Sequence, residues 1–355
     1  MIGGAESHFQ ALGNLLQNRG HETAFYYPAE IEGWRNKTAR LQQIIVEFKP
    51  QIVHLHSLDH KHLQLFKLFS AHNIPMIQTL HDHRMICLSG SLFSKHLCRL
   101  CRGGKYYRSA LQGCVNWQLG WSTYLSRTVL KENPYARVKL FLTPSNYLKN
   151  ELRDWGVTSR LEHLENFIRL SDYREIINPE SKDLIFSGRL SPLKGIDTLL
   201  DAVKGLPYHV KILGDGVLKP RLDELIKTGD YQNISLVGFK TGEAYRQELA
   251  DSALMIVPSP CPENSPQVIA EAMALGLPVL GSNLGGIPEL LDDGKGMVFE
   301  PGDSADLRGK IITLMENREL RLKMSGSCRT FAGNNFSEEK YYTKLLSYYQ
   351  ALVQK

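Results

Sequence analysis

The chain reads as an α/β protein built from two open parallel sheets, each covered by helices. Three observations carry that expectation. Short β-rich runs alternate with helical runs, the order that gives a parallel sheet with crossover helices. The alternation pauses at a polar, mixed stretch, Asn166 to Ser181, and then restarts, so one sheet is expected on each side of it. The length of 355 residues suits about two domains.

The composition, 43% hydrophobic and 22% charged, is ordinary for a soluble globular protein. No apolar run approaches the roughly 20 residues of a membrane span. The opening MIGGAESHFQ lacks the basic start and apolar core of a secretory signal, so a cytoplasmic protein is expected. A net charge of +5 is too mild to imply nucleic acid.

Gly3-Gly4-Ala5-Glu6 leads into a helix in which Phe9, Leu12, Leu15 and Leu16 share a face and Gly20 stops the run. Glycines at a helix start usually follow a strand and let backbone approach a ligand. Here no strand precedes them, so the first strand of the first sheet reads as missing. Thr23 to Tyr27 reads as a strand and Leu41 to Phe48 as the end of a helix. Ile52 to Leu55 is a strand that delivers His54 and His56 to its C-terminal end. Leu63 to Ala71 is helical, and the strand Pro75 to Leu80 ends at His81-Asp82-His83. A Cys-rich insertion at about 84–121 follows. Then come a helix near Ser122 to Leu130, a strand at Lys139 to Thr143, a helix from Asn146 to Trp155 and a strand at Leu161 to Leu164.

In the second half, strands are expected at Leu184 to Ser187, Val210 to Leu213 and Ile234 to Val237, with a helix from Ile196 to Val203. The stretch Met255 to Glu289 supplies two more strands and a helix. Leu254 to Val257 is a buried-strand run, and Pro258, Pro260 and Pro262 then forbid regular pairing. Ser265 reads as an N-cap and Pro266 as the first helical residue. Gln267 to Leu275 is helical and ends at Gly276. The last helix, Ser337 to Val353, carries Tyr341, Leu345, Tyr348, Tyr349 and Leu352 as an apolar stripe that must be covered. The expected domains are 1–168 and 169–336, with 337–355 crossing back to the first.

Several side chains on these strand ends converge on a phosphorylated ligand. Gly188 to Gly195 is a Gly-flanked loop carrying Arg189 and Lys194, which grip phosphate as a fork and as a point charge. The helix start at Ser265 offers free amides to an anion. Glu263 and Glu271, with seven residues between them, are suited to sugar hydroxyls. Glu271 is the single charge in VIAEAMAL and is costly unless it is paired or binds something. Each alone has a plainer reading, a solvated charge or a structural ion pair.

The sequence resembles a retaining glycosyltransferase of the family-four type, with the GT-B fold. The residues that carry the resemblance are Gly3-Gly4-Ala5-Glu6, PQIVHLH (Pro50 to His56), QTLHD (Gln78 to Asp82), PSNYLKNEL (Pro144 to Leu152) with Gly156, and Asn166-Phe167. They continue through FSGRLSPLKG (Phe186 to Gly195), ILGDG (Ile212 to Gly216), VGF (Val237 to Phe239) and the stretch from Pro258 to Glu289. The resemblance implies transfer of a sugar from a nucleotide-diphosphate donor, with retention, to a polysaccharide or lipid-linked glycan. It implies that Arg189 and Lys194 hold the diphosphate with Gly188 and Ser265, that Glu263 binds the donor sugar, and that Glu271 binds the ribose. Gly4 would approach the phosphate or sugar. His56 and His81 are the catalytic histidine candidates. No catalytic metal is implied. The absent first strand departs from the family pattern.

Cys87, Cys98, Cys101 and Cys114 read C-x10-C-x2-C-x12-C, a spacing that suits a closed structural zinc site, with His96 as a substitute ligand. The resemblance is to a Cys-containing subset of the family. Four reduced thiols in an acceptor loop are the alternative. From Arg84 to Lys139 the chain has ten Lys or Arg and one acid, Glu132, interleaved with aromatics. That suits an anionic membrane face or a phosphate-bearing acceptor, as against a solvated face over core aromatics. Competing functional readings are a nucleotide-sugar epimerase, an inactive partner subunit, and a Cys-rich nucleic-acid module.

Overall fold

The structure, a computed structural model, describes residues 4–58, 62–93, 97–130, 133–173, 178, 180–229 and 231–354. Gly3 and His96 lie outside the described residues. The chain divides into two compact units. The second is Asn166–Glu338, and the first runs up to Glu165 and takes in the chain from Glu339 onward.

The first unit holds a parallel sheet of β1 (Val53–His56), β2 (Met76–Thr79), β3 (Leu140–Thr143) and β4 (Leu161–His163), in that spatial order. Every residue of β2 and β3 is buried, as expected of parallel strands covered on both faces. Helices Trp34–Phe48, Leu63–Ala71 and Asn146–Asp154 supply Leu41, Ile45, Leu65, Phe66, Leu148 and Leu152 to a core around Phe141. Ser145 caps the last of these by accepting from the Leu148 amide at 3.1 Å. β1 lies at the sheet edge.

Thr23 to Tyr27 forms no strand. A β-prone run becomes a strand only where a neighbour takes its backbone bonds, and here side-chain contacts win. Phe25 and Tyr27 set their rings edge-on to Phe9 of helix Gly4–Asn18, with centroids 5.5 and 5.3 Å apart. The insertion between β2 and β3 is largely irregular. It holds a one-turn helix, Tyr107–Leu111, and a second helix, Trp117–Tyr124, which continues as a π-helical turn to Val129; the second starts earlier than the Ser122 start expected, because Asn116 caps it by accepting from the Leu119 amide. The C-terminal helix, Glu338–Val353, buries Tyr341 and Leu345. Its residues from Glu339 onward belong to the first unit. Arg19 pairs with Glu339 and lies over the Tyr342 ring, and Lys344 donates to the His163 carbonyl.

The second unit holds a six-stranded parallel sheet of β5 (Leu184–Ser187), β6 (Val210–Leu213), β7 (Ile234–Gly238), β8 (Leu254–Val257), β9 (Val279–Ser282) and β10 (Gly296–Phe299). The spatial order is β10-β9-β8-β5-β6-β7. The order therefore reverses between β5 and β8, and ligands of open α/β sheets bind beyond the carboxyl ends of the strands at such a reversal. Buried clusters lie on both faces, one around Phe186, Leu199 and Ile212, the other around Met255, Ile269 and Met273.

The stretch read as a linker is largely part of this unit. Phe167 and Ile168 are buried, and the Ile168 amide donates to the Phe336 carbonyl at 3.1 Å. The boundary thus falls before Asn166 rather than after residue 168. β10 and the helices Ser304–Glu316 and Arg318–Asn335 complete the unit without having stood out in the sequence.

Candidate functional site

The site in the second unit grows from the two strands that flank the reversal. β5 leads into the Gly188 to Gly195 loop, and β8 leads into the proline-rich turn before helix Gln267–Leu275. Gly195 joins them. It adopts φ +72°, and a Cβ there would meet the Pro258 carbonyl oxygen at 1.8 Å. Only glycine lets the two loops approach so closely.

That approach brings Lys194 to Glu263. The ammonium donates to Glu263 Oε1 at 2.5 Å, and the Ser259 hydroxyl donates to the same oxygen at 2.7 Å. Glu263 Oε2 accepts no hydrogen bond among the described residues, and the ammonium keeps two further donors. The backbone of Glu263 is braced by the next loop. Gly286 donates to the Glu263 carbonyl at 2.8 Å, while Gly285, at φ +71°, sits where a Cβ would be 2.3 Å from that oxygen. Arg189 is exposed, and its side chain pairs with nothing among the described residues. Gly188 closes β5 by donating to Leu213 O at 3.0 Å.

The helix start is one residue later than expected. Pro266, with ψ 115°, is itself the N-cap, and Ser265 makes no capping bond. Free amides at the first turn remain, as at any helix N-terminus.

Glu271 lies one turn into the helix. The Tyr245 hydroxyl donates to its Oε2 at 2.8 Å, and the Tyr173 hydroxyl also bonds to it. Its surface is partly accessible, yet burial dominates and raises its pKa to about 7 against the two tyrosine bonds and Arg246. Ser259, Tyr173, Tyr245 and Gly285 had no signal of their own in the sequence. Ser259 lies only four residues before Glu263, but Tyr173 fell in the supposed linker.

In the first unit, the histidines expected at the ends of β1 and β2 are found together. His56 Nδ1 and His81 Nε2 share a hydrogen bond of 2.9 Å. His54 bonds Tyr349 OH at 2.6 Å and Thr79 Oγ1 at 2.8 Å, and His8 bonds Tyr341 OH at 3.2 Å. Burial lowers the pKa of all four, to about 3 for His54 and about 4 for His81. His56 Nε2 is buried without a partner among the described residues. Gly4 is exposed at the first residue of its helix.

The four insertion cysteines are free thiols that line one pocket with Leu100, Arg108, Ser109, Gln112 and Trp155. Among the described residues no group of three or more His, Cys, Asp or Glu is arranged as it stands to hold a metal ion. No helix among the described residues is long and apolar enough to cross a membrane.

Comparison with known proteins bears on the family and the fold. The family model for glycosyl transferases group 1 matches residues 171–330, and that for glycosyltransferase family 4 matches residues 30–172. An uncharacterized glycosyltransferase of Methanocaldococcus jannaschii is 30% identical over 211 residues, 59% of this chain and 58% of that protein. The sulfoquinovosyl transferase SQD2 of Arabidopsis thaliana is 28% identical over 297 residues, 79% of this chain and 53% of that protein. The chain thus spans little more than half the length of these relatives. The structure of Anabaena Alr3699/HepE in complex with UDP-glucose matches with a TM-score of 0.73 at 18% identity, covering 99% of this chain and 97% of that one. Two models that together match residues 30–330, and a GT-B neighbour aligned over both units, identify the chain as a member of the group 1, family-four glycosyltransferases with the GT-B fold.

Proposed function

We propose that this chain transfers a sugar from a nucleoside-diphosphate sugar to a polysaccharide or lipid-linked glycan, with retention at the anomeric carbon. The observation that carries the reading is the Lys194–Glu263 pair at the carboxyl ends of β5 and β8. As the C1–O bond breaks, negative charge grows on the departing diphosphate, and positive groups fixed in advance lower that barrier. Lys194 retains two donors for phosphate oxygens, and Arg189 presents an unpaired fork. The amides at the start of helix Gln267–Leu275 add partial positive charge. Glu263 Oε2 is open to a sugar hydroxyl, and Glu271 to the ribose. The neutral histidines His56 and His81 are assigned to the transfer step as hydrogen-bonding groups. This set supplies the positive charge without a catalytic metal. The Anabaena neighbour's UDP-glucose supports a nucleotide sugar as donor.

For the acceptor we propose a lipid-linked or membrane-proximal glycan at the cytoplasmic membrane face. Trp117, Leu125, Val129 and Leu130 are exposed in the basic insertion, the composition that holds a protein to an anionic interface.

A thermal-shift series with UDP-, GDP- and ADP-sugars tests the donor reading. A sugar nucleotide at a hundred times its Kd stabilises the native chain by about 2.7 kcal/mol. One of the series is expected to raise the melting temperature in the wild type and not in Lys194→Ala. No shift with any of them, or an equal shift in the variant, overturns the reading.

A further inference from the structure

In the insertion between β2 and β3, Met85, Ile86 and Leu92 join the core of the first unit, and the rest of it has only a small buried cluster. Its own buried cluster is Leu88, Cys101 and Tyr106, with Val115, Tyr124 and Trp155 packed against it. Segments with so little apolar burial are usually held by a staple, either disulfides or a metal. The cysteines form no disulfide. Instead, thiols from three separate loop segments meet at one small pocket, although 26 residues lie between the first and the last in sequence.

We propose that Cys87, Cys98, Cys101 and Cys114 bind one zinc ion as a closed structural site. The Cys98–Cys101 pair has the two-residue spacing at which one turn presents both sulfurs to a single ion. Gly103 and Gly104 follow at φ +74° and +80°, turning the chain sharply after Cys101.

The charge balance agrees. Four thiolates around Zn²⁺ leave a net charge of about −2. Arg108 lines the pocket, and the surrounding segment has ten basic residues to one acidic. Arg99 and Arg102 of the same loop reach Glu151 and the Asp154 carbonyl, fastening the loop that carries Cys98 and Cys101 to helix Asn146–Asp154. No three of the thiols are set to hold an ion as they stand, so binding requires them to turn into the pocket, where the ordinary Zn–S bond is about 2.3 Å. Each thiol that binds releases its proton to solvent, and no electron is transferred. With all four positions taken by sulfur, the ion has no place for water or substrate and acts on folding rather than on transfer.

Elemental analysis of the purified full chain tests the site. About one zinc per chain is expected in the wild type and none in the Cys98→Ser/Cys101→Ser variant. Replacement by cobalt(II) is expected to give the intense visible bands of a tetrahedral tetrathiolate, so the wild type alone decides the matter if the variant fails to fold. Protein that stays free of metal after refolding with zinc, or that contains iron instead, overturns the proposal. The readout is metal content, so it stands or falls independently of the donor-binding reading.

Discussion

At the residue scale, Glu271 has the most informative chemistry. A carboxyl whose pKa is held near 7 by burial is half protonated at neutral pH. If it accepts ribose hydroxyls, donor affinity rises as pH passes from about 6 to about 8, and Glu271→Gln flattens the profile. Tyr245 donates one of the bonds that favour the carboxylate, so Tyr245→Phe moves the midpoint upward. Titration calorimetry across that range checks both; a flat wild-type profile contradicts the role. Folding is linked with a definite sign. The pKa is raised from 4.5, so the contribution to stability is present below 4.5 and is lost as pH rises through about 7. Gly285 tests the bracing of Glu263. An alanine there suffers both the left-handed φ and a Cβ 2.3 Å from the Glu263 oxygen. A stability loss of about 1–3 kcal/mol in urea titration is expected, with weakened donor binding.

At the scale of elements, the C-terminal helix and the histidine cluster form one buried polar network in the first unit. Removing the hydroxyl in Tyr349→Phe leaves His54 Nδ1 without its 2.6 Å partner. The expected cost is about 1–3 kcal/mol, read from the urea midpoint. The four histidines have depressed pKa values, so the folded state binds fewer protons than the unfolded one. Their contribution is therefore complete above the ordinary value of 6.5 and is lost as pH falls toward about 4 and then 3. Glu6 opposes this at His81, and Thr79, Tyr341 and Tyr349 face the cluster as neutral groups. The insertion offers a separate test. Trp117→Ser with Leu130→Ser is expected to reduce co-sedimentation with anionic vesicles while leaving donor binding unchanged. Equal co-sedimentation contradicts the membrane reading.

At the scale of the whole molecule, much was legible in the sequence because short-range patterns decide it. The strands at Leu184 to Ser187 and Val210 to Leu213 and the helix Gln267 to Leu275 have the bounds that their apolar runs and glycine stops imply. The pairing of Lys194 with Glu263 was anticipated only as two residues at strand ends. The left-handed Gly195 that joins their loops was not. Thr23 to Tyr27 failed because strand formation depends on a neighbour, which no local pattern reports. Tyr173 was missed because a short polar stretch looks the same whether it links domains or lines a site.

The central claim is that the second unit binds a sugar nucleotide through Lys194 and Glu263. The most direct measurement is a calorimetric titration of wild type, Lys194→Ala and Glu263→Gln with the sugar nucleotide, the nucleoside diphosphate and the nucleoside. Loss of a charge-assisted phosphate bond costs about 1.5–3 kcal/mol, roughly 10- to 150-fold in affinity. Lys194→Ala is expected to lose that much for both phosphorylated ligands and nothing for the nucleoside. Glu263→Gln is expected to weaken the sugar nucleotide more than the diphosphate. Unchanged affinities across all three proteins would contradict the account.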